Sequence, residues 1–148
     1  MELTIAGDGK LFDELKQLIE RKGLNNIIRL SGRVDSQQMP EVYRRHDIFV
    51  TASMQEGMSN AMLEAAASGL PIITTRCEGV EELVTDNGVV VEEASAGALA
   101  EAISNLAENQ DKYESMRSAA RRLAEKLGWD KIADQYCEIY RRICGKNK

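Results

Sequence analysis

Short apolar runs alternate with longer amphipathic stretches along this chain of 148 residues. The runs are rich in branched side chains, as buried strands of parallel sheets are, and the stretches carry apolar residues at helical spacing. The predicted strands are Leu3–Ala6, Ile27–Ser31, Ile48–Ala52, Ile72–Thr74 and Val89–Val91. The predicted helices are Leu11–Lys22, Gln37–His46, Asn60–Ser68, a short one near Val80–Val84, Ala96–Glu108, Asp111–Leu127 and Asp130–Cys144. Strands alternating with helices predict an α/β fold, a doubly wound parallel five-stranded sheet covered on both faces.

The segment Ile48–Pro71 carries the most informative chemistry. Its strand runs into a turn and then into a helix, with Ser59 or Asn60 available as N-cap. Glu56 lies in the turn and Glu64 about one turn inside the helix. The two carboxylates therefore flank a helix N-terminus. Its backbone N–H groups and the positive end of the helix dipole predict an anion-binding site.

Composition narrows the classes of function. The net charge of −5 argues against nucleic acid as a partner. It does not argue against a nucleotide, because local N–H groups and one or two cations can hold a diphosphate. Cys77, Cys137 and Cys144 show no metal-ligand spacing, so we interpret them as idle or buried thiols in a reducing cytoplasm. No signal peptide and no apolar run near the length of about 18 residues expected of a membrane-spanning helix is present.

Seven residues separate Glu56 from Glu64, with Gly57 after the first glutamate and Ala65 after the second. Five more stretches keep a fixed order around this pair: LTIAGDG, IRLSGRV, YRRHDIFV, PIITT and GVEELVTDNGVVV. Together they resemble the C-terminal, donor-binding domain of retaining nucleotide-sugar glycosyltransferases of the GT-B fold, family 4 type, also called glycosyl transferases group 1. The resemblance is close over roughly the first ninety residues and looser in the helices that follow.

The resemblance implies a role for each matching residue. Glu64 would accept hydrogen bonds from the ribose hydroxyls of the donor nucleotide, and Glu56, the candidate catalytic residue, would meet the donor sugar. The implied donor-binding residues are Gly57, Met58, Ser59, Asn60, Ala61 and Glu64 around the helix start, Gly32, Arg33 and Val34 near the base, and Gly7 and Gly9 in a glycine turn. The implied ligand is a UDP- or GDP-linked sugar, and no metal or other cofactor is expected.

Several of these residues also have plain structural roles. Glu64 can complement the helix dipole, and Glu56 can be a solvated loop side chain. Asp8 and Gly9 are favoured as an N-cap and a turn over a ligand contact. An arginine such as Arg33 is more often a solvent-exposed cation than a side chain that stacks on a base.

The loop Cys77–Glu82 departs from the family pattern. Glu82 falls where the family has a glutamate, yet Glu78 stands in place of a glycine. This departure weakens the case for ligand contact by the loop. His46 ends a predicted helix, where an imidazole is favoured as a cap over a catalytic group.

The resemblance also predicts what the chain lacks. The sequence begins just before what looks like the second strand of the family's domain. The first strand, with an arginine and a lysine for the diphosphate, and the N-terminal acceptor domain are expected to be missing. Residues 1–148 are interpreted as a single nucleotide-sugar-binding domain whose strands can take the flavodoxin-like order 2-1-3-4-5.

The C-terminal helix, residues 129–144, would normally cross to the missing domain. Any peripheral membrane association is expected only through that domain. Without it, the broad apolar stripe of the helix must dock on its own sheet, remain exposed or join another chain, and an exposed stripe favours a homodimer.

Three classes of function stay open. The first is the donor-binding part of a retaining glycosyltransferase that moves a hexose to a hydroxyl acceptor, expected to be inactive as this isolated chain. The alternatives are a nucleotide-sugar epimerase of the same fold and a non-enzymatic nucleotide-binding flavodoxin-like module. The pairing of Glu56 with Glu64 favours the transferase over the epimerase. The third strand ends in Val50–Ser53 without the aspartate that a phosphoacceptor module needs.

Overall fold

The computed structural model describes residues 1–53 and 59–145. Its strands are β1 (Leu3–Ala6), β2 (Ile28–Gly32), β3 (Phe49–Thr51), β4 (Ile72–Thr75) and β5 (Gly88–Val91). Its helices are α1 (Phe12–Arg21), α2 (Met39–Arg44), α3 (Asn60–Ala67), α4 (Val80–Leu83), α5 (Ala96–Ala107), α6 (Gln110–Lys126) and α7 (Trp129–Gly145). Each of these elements corresponds to a predicted one, and the α/β class is confirmed.

All paired strands are parallel, but they form two hydrogen-bonded sheets. β1 pairs with β2, while β3, β4 and β5 pair in that order. The described residues thus show a two-stranded and a three-stranded ladder, and the joining of all five strands into one sheet stays a prediction. The order within each sheet agrees with 2-1-3-4-5.

The chain divides into two compact units, Met1–Val42 and Tyr43–Lys148. The first unit holds β1, β2 and α1, and Ile19 of α1 is buried there. Gly23 ends α1 as the sequence predicts. Its φ of +67° is left-handed, and its N–H donates to the carbonyl of Glu20 at 3.0 Å.

The second unit has its core on both faces of β4, whose four residues are all buried. Ile72 packs in a cluster with side chains of α3, α4 and α6. Ile73, which points to the other face, packs with Leu106 of α5 and Met116 of α6. Helices therefore cover both faces of this sheet, as a doubly wound architecture requires.

The turn between α4 and β5 depends on two residues. Asn87 is fully buried, donates to the carbonyl of Leu83 at 3.0 Å and accepts from the N–H of Thr85 at 2.9 Å. Gly88 follows, and a Cβ atom there would lie 2.2 Å from the carbonyl oxygen of Ile72. The backbones of β4 and β5 approach too closely at this point for any side chain.

None of the residues of α7 is buried. Trp129 is 88% exposed, and the other large apolar residues of its stripe are at least half exposed, namely Tyr136, Ile139, Tyr140 and Ile143. The predicted stripe is thus present and uncovered in the single chain. Among the described residues, no helix has the length and apolar character needed to cross a membrane.

Candidate functional site

Helix α3 begins where the sequence predicts donor contacts. Ser59 occupies the N-cap position with extended backbone, is buried, and makes no side-chain capping bond. The first helical hydrogen bond runs from the N–H of Leu63 to the carbonyl of Ser59 at 3.1 Å. The N–H groups of Asn60 and Ala61 therefore precede the helical ladder, and both residues are exposed. This is the arrangement of an anion-binding helix terminus.

The loop before α3 contains three predicted residues, Glu56, Gly57 and Met58, that lie outside the described residues. Their roles stay predictions. The chain is fixed just before them, because the buried Thr75 at the end of β4 donates its hydroxyl to the carbonyl of Ser53 at 2.7 Å. The departure of this loop from β3 is thereby tied to the carboxyl end of the neighbouring strand.

Glu64 lies one turn inside α3, as predicted, and is exposed. Its partner is Tyr43 of α2, whose hydroxyl donates to Oε2 of Glu64 at 3.2 Å. Burial raises the pKa of Tyr43 to about 12, helped by the charge of Glu64 and by this hydrogen bond. The hydroxyl therefore keeps its proton at neutral pH and acts as the donor.

Sequence analysis did not find the pairing of Tyr43 with Glu64. One signal was present, since a tyrosine on the apolar face of a short helix is buried with a hydroxyl that requires a partner. The sequence does not identify that partner, because Glu64 lies 21 positions after Tyr43.

In the first unit, Gly7 and Gly32 meet at the carboxyl ends of β1 and β2. The N–H of Gly7 donates to the carbonyl of Gly32 at 2.8 Å, and their φ angles of +139° and +65° are ones that other residues rarely adopt. A Cβ atom at Gly7, Gly9 or Gly32 would meet nothing within 4 Å. Arg33 is exposed and Val34 half-buried. The structure thus brings Gly7 and Gly32 together and leaves open space beside the turns.

Asp8 does not cap α1. The N-cap position belongs to Leu11, which makes no side-chain capping bond. The prediction of an N-cap at Asp8 was wrong, because α1 begins at Phe12, further along the chain than the predicted start. The turn at Gly9 is confirmed, since its carbonyl accepts from the N–H of Phe12 at 3.0 Å.

Arg76, directly after β4, joins two carboxylates that sequence analysis did not connect. Its guanidinium bonds Glu92 beyond β5 and Glu81 in α4, and all three side chains are exposed. Hydrogen bonding to Arg76 lowers the pKa of the Glu92 carboxyl. The same bond raises the pKa of the Arg76 guanidinium. Glu82, the glutamate that matches the family pattern, is exposed and is not part of this network.

A cavity of about 440 Å³ lies at the opposite end of α3 and is lined by Ser68, Gly69 and side chains of α6. Arg121 crosses from α6 to donate to the carbonyl of Ala67, the last residue of α3. The cavity therefore belongs to the packing of α6 on α3 and is not part of the predicted donor site.

Comparison with known proteins establishes the family of this chain. The sequence profile described as "Glycosyl transferases group 1" matches residues 1–123. Since the match covers most of the chain, the chain belongs to this family, and the resemblance stated above is confirmed. Solved structures that are similar in fold include GT-B glycosyltransferases.

Three relatives illustrate the similarity. The phosphatidylinositol N-acetylglucosaminyltransferase GPI3 subunit of Saccharomyces cerevisiae is 29% identical over 146 residues, which are 97% of this chain and 32% of its own. The C-terminal domain of LpcC, a group 1 glycosyl transferase from Francisella tularensis, is 32% identical with a TM-score of 0.68, over 77% of this chain and 60% of that one. Anabaena HepE in complex with UDP is 25% identical with a TM-score of 0.80, over 95% and 40%.

The chain spans 32% to 40% of the length of the first curated relatives that it matches. The similarity to HepE covers 40% of the length of that protein.

Proposed function

We propose that this chain is the donor-binding domain of a retaining glycosyltransferase that moves a hexose from a UDP- or GDP-sugar to a hydroxyl acceptor. The observation that carries the proposal is the position of Glu64, one turn inside α3 and bonded by Tyr43, in a chain of established family. Its carboxylate can accept from two ribose hydroxyls at once. The UDP complex of HepE, a structurally similar relative, favours a uridine nucleotide.

The proposed contacts follow the start of α3. The residues from Gly57 to Ala61 are proposed to bind the diphosphate through their N–H groups, because the positive end of the helix dipole stabilises negative charge. In the first unit, the glycine turns at Gly7, Gly9 and Gly32 are proposed as separate contacts of the donor. Arg33 and Val34 are proposed to contact its base. Each contact is tested separately by the response of its own amide.

The proposed reaction exchanges one bond at the anomeric carbon for another. The bond from that carbon to the diphosphate oxygen breaks, and a bond to the acceptor oxygen forms on the same face of the sugar. The acceptor proton passes to the departing diphosphate. N–H groups preset at the start of α3 stabilise the charge that grows there. Glu56 is proposed as an electrostatic partner of the sugar and not as a nucleophile, and no metal ion or other cofactor is proposed.

We further propose that a separate N-terminal domain holds the acceptor and that α7 normally crosses to it. Without a facing domain to exclude water and align the acceptor, this chain alone should not transfer sugar. A cytoplasmic location and a homodimer of the isolated chain belong to the same proposal. The relatives compared are transferases, so the epimerase and the flavodoxin-like module are not favoured.

The test is a calorimetric or NMR titration of the chain with UDP and with GDP. We expect a Kd in roughly the high micromolar to millimolar range, and a loss of about tenfold or more on Glu64→Ala, because a hydrogen bond to a charged group is removed. Glu101→Ala on α5 is the matched control and should bind as the parent does. EDTA should have no effect.

Circular dichroism should show that Glu64→Ala is folded. The proposal fails if neither nucleotide binds at millimolar concentration, or if both glutamate variants bind as the parent does. The proposal that a separate domain holds the acceptor fails if the purified chain transfers hexose from a UDP- or GDP-sugar to a panel of hydroxyl acceptors.

A further inference from the structure

The carboxylate of Glu64 is exposed, but the group that holds it is not. Tyr43 is 6% exposed and comes from a different helix, with its hydroxyl 3.2 Å from Oε2 of Glu64. This distance exceeds the usual range for a hydrogen bond between oxygens, and bonds in unliganded sites often tighten when a ligand binds. A carboxylate accepts at both oxygens, so a bond at Oε2 leaves acceptor capacity at Oε1.

The ring of Tyr43 is itself held in place. It meets the ring of Phe49 edge-on, with centroids 6.0 Å apart and an angle of 63° between the planes. Phe49 lies in β3 and packs against the main core cluster of the second unit. The hydroxyl of Tyr43 is therefore fixed relative to the sheet, and its position does not depend on the ligand.

We propose that Tyr43 is a positioning residue for the donor ribose, which sets the preference of the site for ribose over deoxyribose by holding the Glu64 carboxylate. A free glutamate on a helix surface loses rotamer freedom when it binds a ligand, and that loss weakens binding. A glutamate already held by a rigid tyrosine loses less. The inference rests on the proposed function, because it takes Glu64 as the ribose acceptor.

The experiment compares UDP with 2′-deoxy-UDP, and GDP with 2′-deoxy-GDP, on the parent chain and on Tyr43→Phe. The variant keeps the ring that packs on Phe49 and removes only the hydroxyl. We expect the parent to prefer the ribonucleotide by about tenfold or more and Tyr43→Phe to lose roughly three- to tenfold of that preference. Affinity for the deoxynucleotide should fall less, since it keeps only one of the two ribose hydroxyls from which Glu64 accepts.

The control is Tyr113→Phe, which removes the hydroxyl of a half-buried tyrosine packed in the second core cluster. It should leave the ratio of the two affinities unchanged. A merely structural role of Tyr43 would instead weaken both nucleotides equally, and that result would overturn the inference.

The outcomes also separate this inference from the proposed function. If Glu64→Ala abolishes the ribose preference and Tyr43→Phe retains it, the positioning role is overturned and the donor site stands. If the parent chain binds neither nucleotide, or binds ribose and deoxyribose forms equally, both the inference and the role of Glu64 are overturned.

Discussion

The two longest helices, α6 and α7, have the same length of 17 residues and opposite surroundings. α6 is the more polar of the two, yet it packs on α3 and α5 and buries Met116, Ala119 and Ala120. α7 carries a tryptophan, two tyrosines and three isoleucines and buries none of them.

The difference shows that apolar content alone does not decide which helix joins the core. Two adjacent alanines let α6 approach α3 closely, and its remaining surface is free to carry charge. The broad stripe of α7 needs an extended apolar surface, which no described element of the chain provides. An uncovered stripe of this kind favours association.

The largest expected effect is on the packed core, at the contact between β4 and β5. Gly88→Ala would place a Cβ atom 2.2 Å from the backbone of Ile72, so one of the two strands must move. We expect a loss of about 3 kcal/mol or more in the free energy of unfolding, at the upper end for overpacking. Chemical denaturation measures it.

Gly97→Ala is the control, because its Cβ would meet nothing within 4 Å in the first turn of α5. It should leave stability unchanged or raise it by up to about 1 kcal/mol. Equal stability of the two alanine variants would contradict the strand contact described here.

A second prediction concerns self-association through the exposed apolar stripe of α7. Tyr136→Asp puts a charge in the middle of the apolar stripe, while the adjacent Gln135→Asp puts the same charge outside it. We expect the parent to self-associate, Tyr136→Asp to weaken association by about tenfold or more, and Gln135→Asp to have little effect. Sedimentation at several concentrations measures this.

Stability should hardly change in either α7 variant, because no side chain of this helix is buried. A parent chain that remains monomeric at high concentration, with Trp129 shielded from solvent, would show that α7 docks on its own domain. The contrast between a packed α6 and an exposed α7 would then be wrong.

The smallest expected effect is a dependence of the free energy of unfolding on pH, caused by the buried Tyr43. The pKa of Tyr43 is raised from its ordinary value near 10 to about 12, so the protonated hydroxyl is favoured in the folded state. Its contribution to stability is complete below the ordinary value and is lost as pH rises toward the folded-state value. Denaturation series across this alkaline range should fall more steeply for the parent than for Tyr43→Phe. Parallel curves would contradict the environment described for this hydroxyl.

Local patterns predicted most of this fold. The end of α3 is an example, since Gly69 has a φ of +78° and its N–H donates to the carbonyl of Ala66 at 2.9 Å. Glycine in that place marks a helix stop in any context, so the sequence alone is enough. The position of Glu64 inside α3 was predicted from the other end of the helix, where Ser59 or Asn60 is available as N-cap and good helix formers follow.

What sequence could not predict depends on pairings between distant residues. The bond from Tyr43 to Glu64 joins two helices, and the order β3-β4-β5 depends on which strands pair with each other. Apolar runs identify strands but do not say which neighbours they take. The uncovered face of α7 belongs to the same group, because a stripe predicts that a helix packs and not what it packs on.

The central claim is that a donor nucleotide binds at the start of α3. A UDP titration followed amide by amide in two-dimensional NMR tests it most directly. The account predicts saturable shifts at Ser59–Glu64, with these shifts reduced in Glu64→Ala, and shifts at Gly32–Val34 if the proposed base contact holds. Shifts confined to other surfaces, or none at millimolar UDP, would contradict it.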